Sequence, residues 1–235
     1  MENKQKVYNL IILDESGSMQ SIKKTIIDGF NEVVQTIKGV AIKFPEQEHS
    51  VTMITFNELD IKTIHQNTNI EVLHEIDEES YCPNSSTPLY DAMGFGITNL
   101  SRLIENEKDY NVLVTILTDG EENASKEYTH ASIKSLVEEY KLKNWTFTYI
   151  GANHDVEDFA ASLSINNVMR FETNKEDMQR MFSRDRNARM GYSQNIRSGL
   201  NTIDGYFDSN ETIKSKPAEK KRPESKSFWS KLFGK

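Results

Sequence analysis

The hydrophobic positions follow two rhythms. Val7 to Leu13, Asn111 to Leu117 and Trp145 to Gly151 are dense in apolar, β-branched and aromatic residues, the pattern of strands buried on both faces. His49 to Asn57 adds a strand with Val51, Met53 and Ile54 in the core, and residues 167–171 (NVMRF) a last short one. Residues 60–66 alternate and are more polar, which predicts an edge strand. Between these lie helical spacings. Ile22, Ile26, Phe30, Val33, Val34, Ile37 and Ile42 mark one helix, capped by Ser18 and stopped by Pro45. Leu89, Ala92, Met93, Ile97, Leu100 and Ile104 mark a second, with Pro88 near its first position and its end near Asn106. Residues 129–143 and 155–163 supply two more. The predicted order is β-α-β-β-α-β-α-β-α-β. That order specifies an α/β fold: a doubly wound, Rossmann-like, mostly parallel six-stranded sheet with one antiparallel edge strand and helices on both faces.

Three stretches fall outside this alternation. Residues 67–84 are weakly patterned, with Ile70, Val72, Leu73 and Ile76 before the acidic run Asp77-Glu78-Glu79. From Asn174 to Phe207 the text reads as helix, with a break expected at Gly191. Residues 209–235 are rich in Lys, Glu, Ser and Pro, and are expected to be disordered. The expected division is a domain over 6–172, a helical extension over 173–208 and a basic tail over 209–235. In the tail, Phe228, Trp229, Leu232 and Phe233 would share a face flanked by Lys226, Lys231 and Lys235. Such a face would suit a partner groove or an anionic membrane surface, but a plain solvated tail is the favoured reading.

Composition narrows the ligand class. The chain of 235 residues is 37% hydrophobic and 27% charged, enough to build a core. No apolar run approaches a membrane span, and the first strand begins without a signal peptide, so the expected address is the cytoplasm. The net charge of -8 is uneven: residues 211–235 hold eight Lys/Arg against three Glu, a balance of +5, which leaves -13 on residues 1–210. An acidic body excludes nucleic acid as the main ligand and suits a cation or basic partners. One cysteine, Cys82, excludes an internal disulfide or a thiolate cluster. His49, His65, His74, His130 and His154 show no paired metal-ligand spacing.

Candidate chemistry gathers where buried strands stop. Leu13 is followed by Asp14-Glu15-Ser16-Gly17-Ser18-Met19, and Leu117 by Thr118-Asp119-Gly120-Glu121-Glu122-Asn123. The loop before the second helix carries Thr87. Carboxyl ends of strands are where open α/β sheets place ligands. Asp14, Ser16, Ser18, Thr87 and Asp119 offer two carboxylates and three hydroxyls, an all-oxygen set for a hard cation. Two charges and small hydroxyls favour compact Mg²⁺ (or Mn²⁺) over a Ca²⁺ cage, with water or a partner's oxygen completing the shell. The blander alternative is that the serines cap a helix and Asp119-Gly120 is a turn. Asp91 and Glu121 read as solvated acids; His154-Asp155 follows another strand's carboxyl end, where a structural or surface role is favoured over a rim to the site.

The run DESGSM resembles the D-x-S-x-S signature of von Willebrand factor type A (vWA) domains, of the stand-alone bacterial type. Thr87 in SSTPLYDA and Asp119 in LTDGEEN match the remaining positions of that family's metal-ion-dependent adhesion site (MIDAS). The resemblance covers roughly residues 6–172, a usual domain scale. It departs at Asn84-Ser85-Ser86, where many bacterial members have glycine. It implies that Ser16, Ser18 and Thr87 bind Mg²⁺ directly, and Asp14 and Asp119 through water or in exchange with it. It further implies a protein-protein interaction module, not an enzyme, whose partner supplies an Asp or Glu carboxylate. Stand-alone members, including those of tellurite-resistance and stress operons, imply an intracellular adaptor. Two other readings stand beside it. One is a Mg²⁺-dependent phosphoryl-transfer enzyme using Asp14, although Ser16 stands where a second Asp is expected and Lys126, Lys141 and Lys143 are loose candidates for its lysine. The other is a scaffold subunit acting through the 174–208 helix.

Overall fold

The computed structural model describes residues 4–152 and 155–208. The expectations for His154 and for the tail over 209–235 lie outside the described residues. Six strands form one sheet: β1 (Gln5–Asp14), β2 (Gln47–Asn57), β3 (Asp60–Asn69), β4 (Tyr110–Thr118), β5 (Trp145–Ala152) and β6 (Asn167–Phe171). Their order is β3-β2-β1-β4-β5-β6, and every pairing is parallel except β2 with β3. Among the described residues five α-helices accompany them: α1 (Lys23–Lys43), α2 (Leu89–Leu103), α3 (His130–Lys141), α4 (Val156–Ser162) and α5 (Lys175–Arg197). The predicted doubly wound sheet with its antiparallel edge is borne out.

Alternation along the strands builds a core on each face. Val7, Ile11 and Leu13 of β1 join residues of α1 and α5, whereas Tyr8, Leu10 and Ile12 join residues of α2, α3 and α4. The chain winds from β1 to β2 on one side and later returns to β4 on the other. The boundary between β1 and β4 is therefore a topological switch point, where strand ends part and leave a crevice.

On the first face α1 and α5 lie so close that a Cβ on Gly29 would stand 1.9 Å from the Phe182 ring. Helix α5 buries Met178, Met181, Phe182, Ala188 and Tyr192 in the same core as α1. It also buries a charge pair. Arg189 Nε donates to Asp185 Oδ2 at 2.7 Å, Arg189 Nη2 to Thr115 Oγ1 at 2.8 Å, and Tyr206 Oη to Asp185 Oδ1 at 3.1 Å.

Two details correct the expectations. The helix runs through Gly191, which needs no special conformation there, and ends at Arg197; the chain turns at Gly199, whose φ of +63 is the left-handed value that favours glycine. Ile42 is 82% exposed, because the buried stripe of α1 continues from Ile37 to Val40 and position 42 falls on the opposite face.

Candidate metal centre

Parallel pairing sets Leu13 beside Leu117, so β1 and β4 stop at the same level and hand Asp14 and Thr118 to one edge. Thr118 Oγ1 donates to Asp14 Oδ2 at 2.5 Å, and Ser16 N donates to Asp14 Oδ1 at 2.7 Å. Both carboxylate oxygens are thus held by short hydrogen bonds that fix the direction of the side chain. A 3-10 turn over Gly17–Ile22 follows and curls the serines back over the strand end. Ser16 Oγ lies 3.2 Å from Ser18 Oγ, and Ser18 Oγ donates to Asp119 Oδ1 at 2.5 Å. Thr87 closes the set from the entrance of α2. A Cβ added to Gly120 would meet Thr87 Oγ1 at 3.0 Å, Ser18 Oγ at 3.6 Å and Asp14 Oδ2 at 3.8 Å. One point on the loop after β4 thus lies within 4 Å of oxygens from the other two loops, and a side chain at position 120 would crowd it.

All five sequence-predicted residues come together. Asp14, Ser16, Thr87 and Asp119 are buried, and Ser18 is exposed on the open side. Burial pushes the Asp14 carboxyl up from 3.8 to about 6; hydrogen bonds from Thr118 and Ser16 pull the other way, and the neighbouring Asp119 charge adds to the rise. Asp119 is raised as well, chiefly by burial, with its bond from Ser18 opposing. Two carboxyls raised by burial are a site whose charge a cation would compensate. Among the described residues no group of three or more His, Cys, Asp or Glu is arranged to hold a metal. The donors here are instead two carboxylates and three hydroxyls, a set that fits a hard divalent ion retaining water.

Ser18 does not cap a helix as expected. Its hydroxyl is committed to Asp119, and neither the 3-10 turn nor α1 has a side-chain cap. Asp91 is no idle solvated acid: its carboxylate accepts the backbone N–H groups of Lys126, Glu127 and Tyr128 at 2.7–2.9 Å. Three lysines named as loose candidates are engaged elsewhere: Lys126 beside Glu58 at 3.8 Å, Lys141 near Asp204 at 3.6 Å and Lys143 with Glu139 at 2.6 Å. His49, His65 and His130 have local partners in Gln47, the His74 carbonyl and Ser162.

Sequence reasoning missed the residues behind the site. Glu15 is fully buried; its carboxylate meets Lys62 Nζ at 3.3 Å and accepts the Cys82 N–H. Tyr81 Oη donates to the Asp14 carbonyl at 2.6 Å. These contacts hang the loop carrying Thr87 on the end of β1. Ser85 in that loop has φ of +64, the conformation for which glycine is ordinarily used. The only signal available in the sequence was position: Glu15 and Thr118 sit beside the acids of two strand ends, whereas Tyr81 and Lys62 come from segments with no motif.

Residues 10–184 match the family profile of the von Willebrand factor type A domain. Among solved structures, proximal thread matrix protein 1 from the mussel byssus aligns over 77% of this chain at 12% identity, with a TM-score of 0.51. This chain spans only 45% of that protein's length. The SpRpn10 VWA domain aligns over 77% of this chain and 94% of its own, at 10% identity and a TM-score of 0.47. A search of curated proteins finds no match.

Proposed function

The chain belongs to the von Willebrand factor type A domain family, and from that premise we propose that it is a Mg²⁺-dependent protein-protein interaction module whose partner presents an Asp or Glu carboxylate. The observation that carries this reading is the meeting of Asp14, Ser16, Ser18, Thr87 and Asp119 at the carboxyl ends of β1 and β4. In this reading Ser16, Ser18 and Thr87 hold Mg²⁺ directly, and Asp14 and Asp119 hold it through water. A bound Mg²⁺ would supply Lewis acidity toward an incoming carboxylate oxygen. The chain's own part is to keep three neutral hydroxyls and two constrained acids aimed at one opening. Few charges offset the ion, so it stays attractive to an anionic ligand.

Binding without reaction is the better reading of the same residues. Asp14 has both oxygens engaged by Thr118 and Ser16, and Ser16 supplies a hydroxyl where aspartyl-phosphate chemistry expects a second acid. A scaffold role through α5 has less support, because the apolar side of that helix is spent on the core. By similarity to stand-alone bacterial members, the proposed setting is an adaptor in the cytoplasm. Among the described residues no helix is long and apolar enough to cross a membrane.

The test is capture of partners by immobilised protein in Mg²⁺ and in EDTA, for wild type and Asp14→Ala. Capture that needs Mg²⁺ and fails in Asp14→Ala is expected. Equal capture by both proteins, or indifference to EDTA, would overturn the proposal.

A further inference from the structure

Helix α2 begins without a cap of its own. Its N-cap position is Pro88, which makes no side-chain capping bond. The first N–H groups of a helix nevertheless need acceptors. Here they are supplied by the loop after Asp119, more than thirty residues away. Tyr90 N donates to Glu122 Oε2 at 2.9 Å, and Asp91 N to Ser125 Oγ at 3.1 Å. One step earlier, Thr87 and Asn123 bond each other twice: Thr87 N donates to Asn123 Oδ1 at 2.8 Å, and Asn123 N to the Thr87 carbonyl at 3.1 Å.

The loop is itself braced to do this. Glu122 Oε1 accepts the N–H groups of Ala124 and Ser125 at 2.9 and 2.8 Å, and its Oε2 accepts the Ser125 hydroxyl at 2.7 Å. The return contacts come from α2. Asp91 accepts three successive backbone N–H groups from Lys126 to Tyr128, and the Tyr128 ring lies where a Cβ on Gly94 would be. Thr87 and the residues after Asp119 are thereby stitched at both ends into one body. Between them sits Gly120, with its added-Cβ position only 3.0 Å from Thr87 Oγ1.

We infer that Glu122, Asn123 and Ser125 are positioning residues: they hold the Thr87 hydroxyl at a fixed distance from Asp119 and so set the site's preference for a small divalent cation. This rests on the metal reading above. A braced opening suits the short, rigid coordination of Mg²⁺, whereas a loosened one admits the longer bonds of Ca²⁺. Groups that orient ligands without touching the ion typically account for ~10–100-fold in metal affinity.

The experiment titrates Mg²⁺ and Ca²⁺ separately into the full chain by calorimetry, with melting in EDTA as the control for folding. Wild type, Asn123→Ala and Ser125→Ala are compared. Wild type is expected to bind Mg²⁺ more tightly than Ca²⁺. Asn123→Ala should lose ~10-fold or more in Mg²⁺ affinity and a smaller factor for Ca²⁺, so that the preference narrows. Ser125→Ala should move the same way by less. Unchanged affinities, or equal loss for both ions, would overturn the inference and leave the metal site standing. Failure of wild type to bind either ion would overturn the metal reading itself and this inference with it. If Asn123→Ala does not fold, Ser125→Ala carries the same two outcomes.

Discussion

Ser18 Oγ donates to Asp119 Oδ1 at 2.5 Å, joining the loop after β1 to the loop after β4 across 101 positions of the chain. The hydroxyl is exposed and the carboxylate is mostly buried, so the bond closes the open side of the site. It also opposes the burial that raises the Asp119 carboxyl. Ser18→Ala removes a bond to a charged group, worth roughly 1.5–3 kcal/mol in general. Solvent access at Ser18 places the expected loss at the lower end of that range, read by denaturant unfolding in EDTA. The sharper readout is the response to metal. Mg²⁺ should raise the melting temperature of wild type, and Ser18→Ala should lose most of that rise.

Asp14 makes its own contribution to the pH dependence of the metal-free protein, which substitution at that position isolates. Its carboxyl titrates at about 6 when folded, against the ordinary 3.8. Between those values the folded chain keeps a proton that the unfolded chain has released. The contribution of Asp14 to stability therefore falls as pH rises from about 4 to about 6, and the loss persists above; buried His49, pushed down from 6.5 to about 4, contributes with the opposite sign over nearly the same range. The full shift corresponds to about 3 kcal/mol. In EDTA, Asp14→Asn should be the more stable protein at neutral pH, with the gap closing as pH approaches 4. The gain should fall short of the full figure, because Asn offers one acceptor where Thr118 and Ser16 now use two oxygens. Saturating Mg²⁺ should reverse the ranking. Unfolding midpoints across pH, with and without Mg²⁺, check both statements.

These two acids show how much of the molecule could be read in advance. Val7 to Leu13 and Asn111 to Leu117 announce buried strands because a strand covered on both faces has no polar alternation to hide, and the acids that stop them mark the edge. Thr87 was legible as a hydroxyl at a helix entrance, but its place in the site was supported only by resemblance to a family pattern, since nothing in its loop says that it meets Asp119. The bracing by Glu122 and Asn123 was not legible: their partners lie 32 and 36 residues away, and tertiary hydrogen bonds leave no local period. Gly191 misled for a related reason. A glycine costs helix propensity of about 1 kcal/mol, but α5 recovers far more by burying Met178, Met181, Phe182 and Tyr192, so the helix passes through it. Ser85 is the converse case, a non-glycine in a left-handed conformation tolerated because the Ser85 carbonyl accepts the Gly17 N–H and its hydroxyl reaches Glu58.

Gly29 is the point where α1 and α5 touch. An added methyl would overlap the Phe182 ring at 1.9–2.2 Å, too close for a small adjustment of either side chain. Gly29→Ala gains helix propensity of up to about 1 kcal/mol, but it forces the two helices apart. Overpacking of this kind costs typically 1–3 kcal/mol, and the net effect should be destabilising. Gly39, on the same helix, has open space around its Cβ position, so Gly39→Ala should stabilise by propensity alone. The opposite signs of the two substitutions, measured by chemical denaturation, check that packing and not helix propensity decides at position 29.

Arg189 and Asp185 carry the last prediction. Both are buried, and the guanidinium reaches Thr115 on β4 at 2.8 Å and Asn9 on β1 at 3.4 Å. α5 is thereby tied to the two strands that end in Asp14 and Thr118. Arg189→Met leaves the Asp185 carboxylate in the core with its cation gone, a loss of about 3–5 kcal/mol for broken buried pairs. Asp185→Leu combined with Arg189→Met removes both charges and should recover most of it, because the desolvation of two ions disappears with their attraction. Mg²⁺ affinity separates stability from function here. The backbone ladder that pairs Leu13 of β1 with Leu117 of β4 involves neither of the two substituted side chains. The double variant's affinity for Mg²⁺ should therefore match wild type; a marked loss would mean that the buried pair acts on the site through the strands as well as on the core.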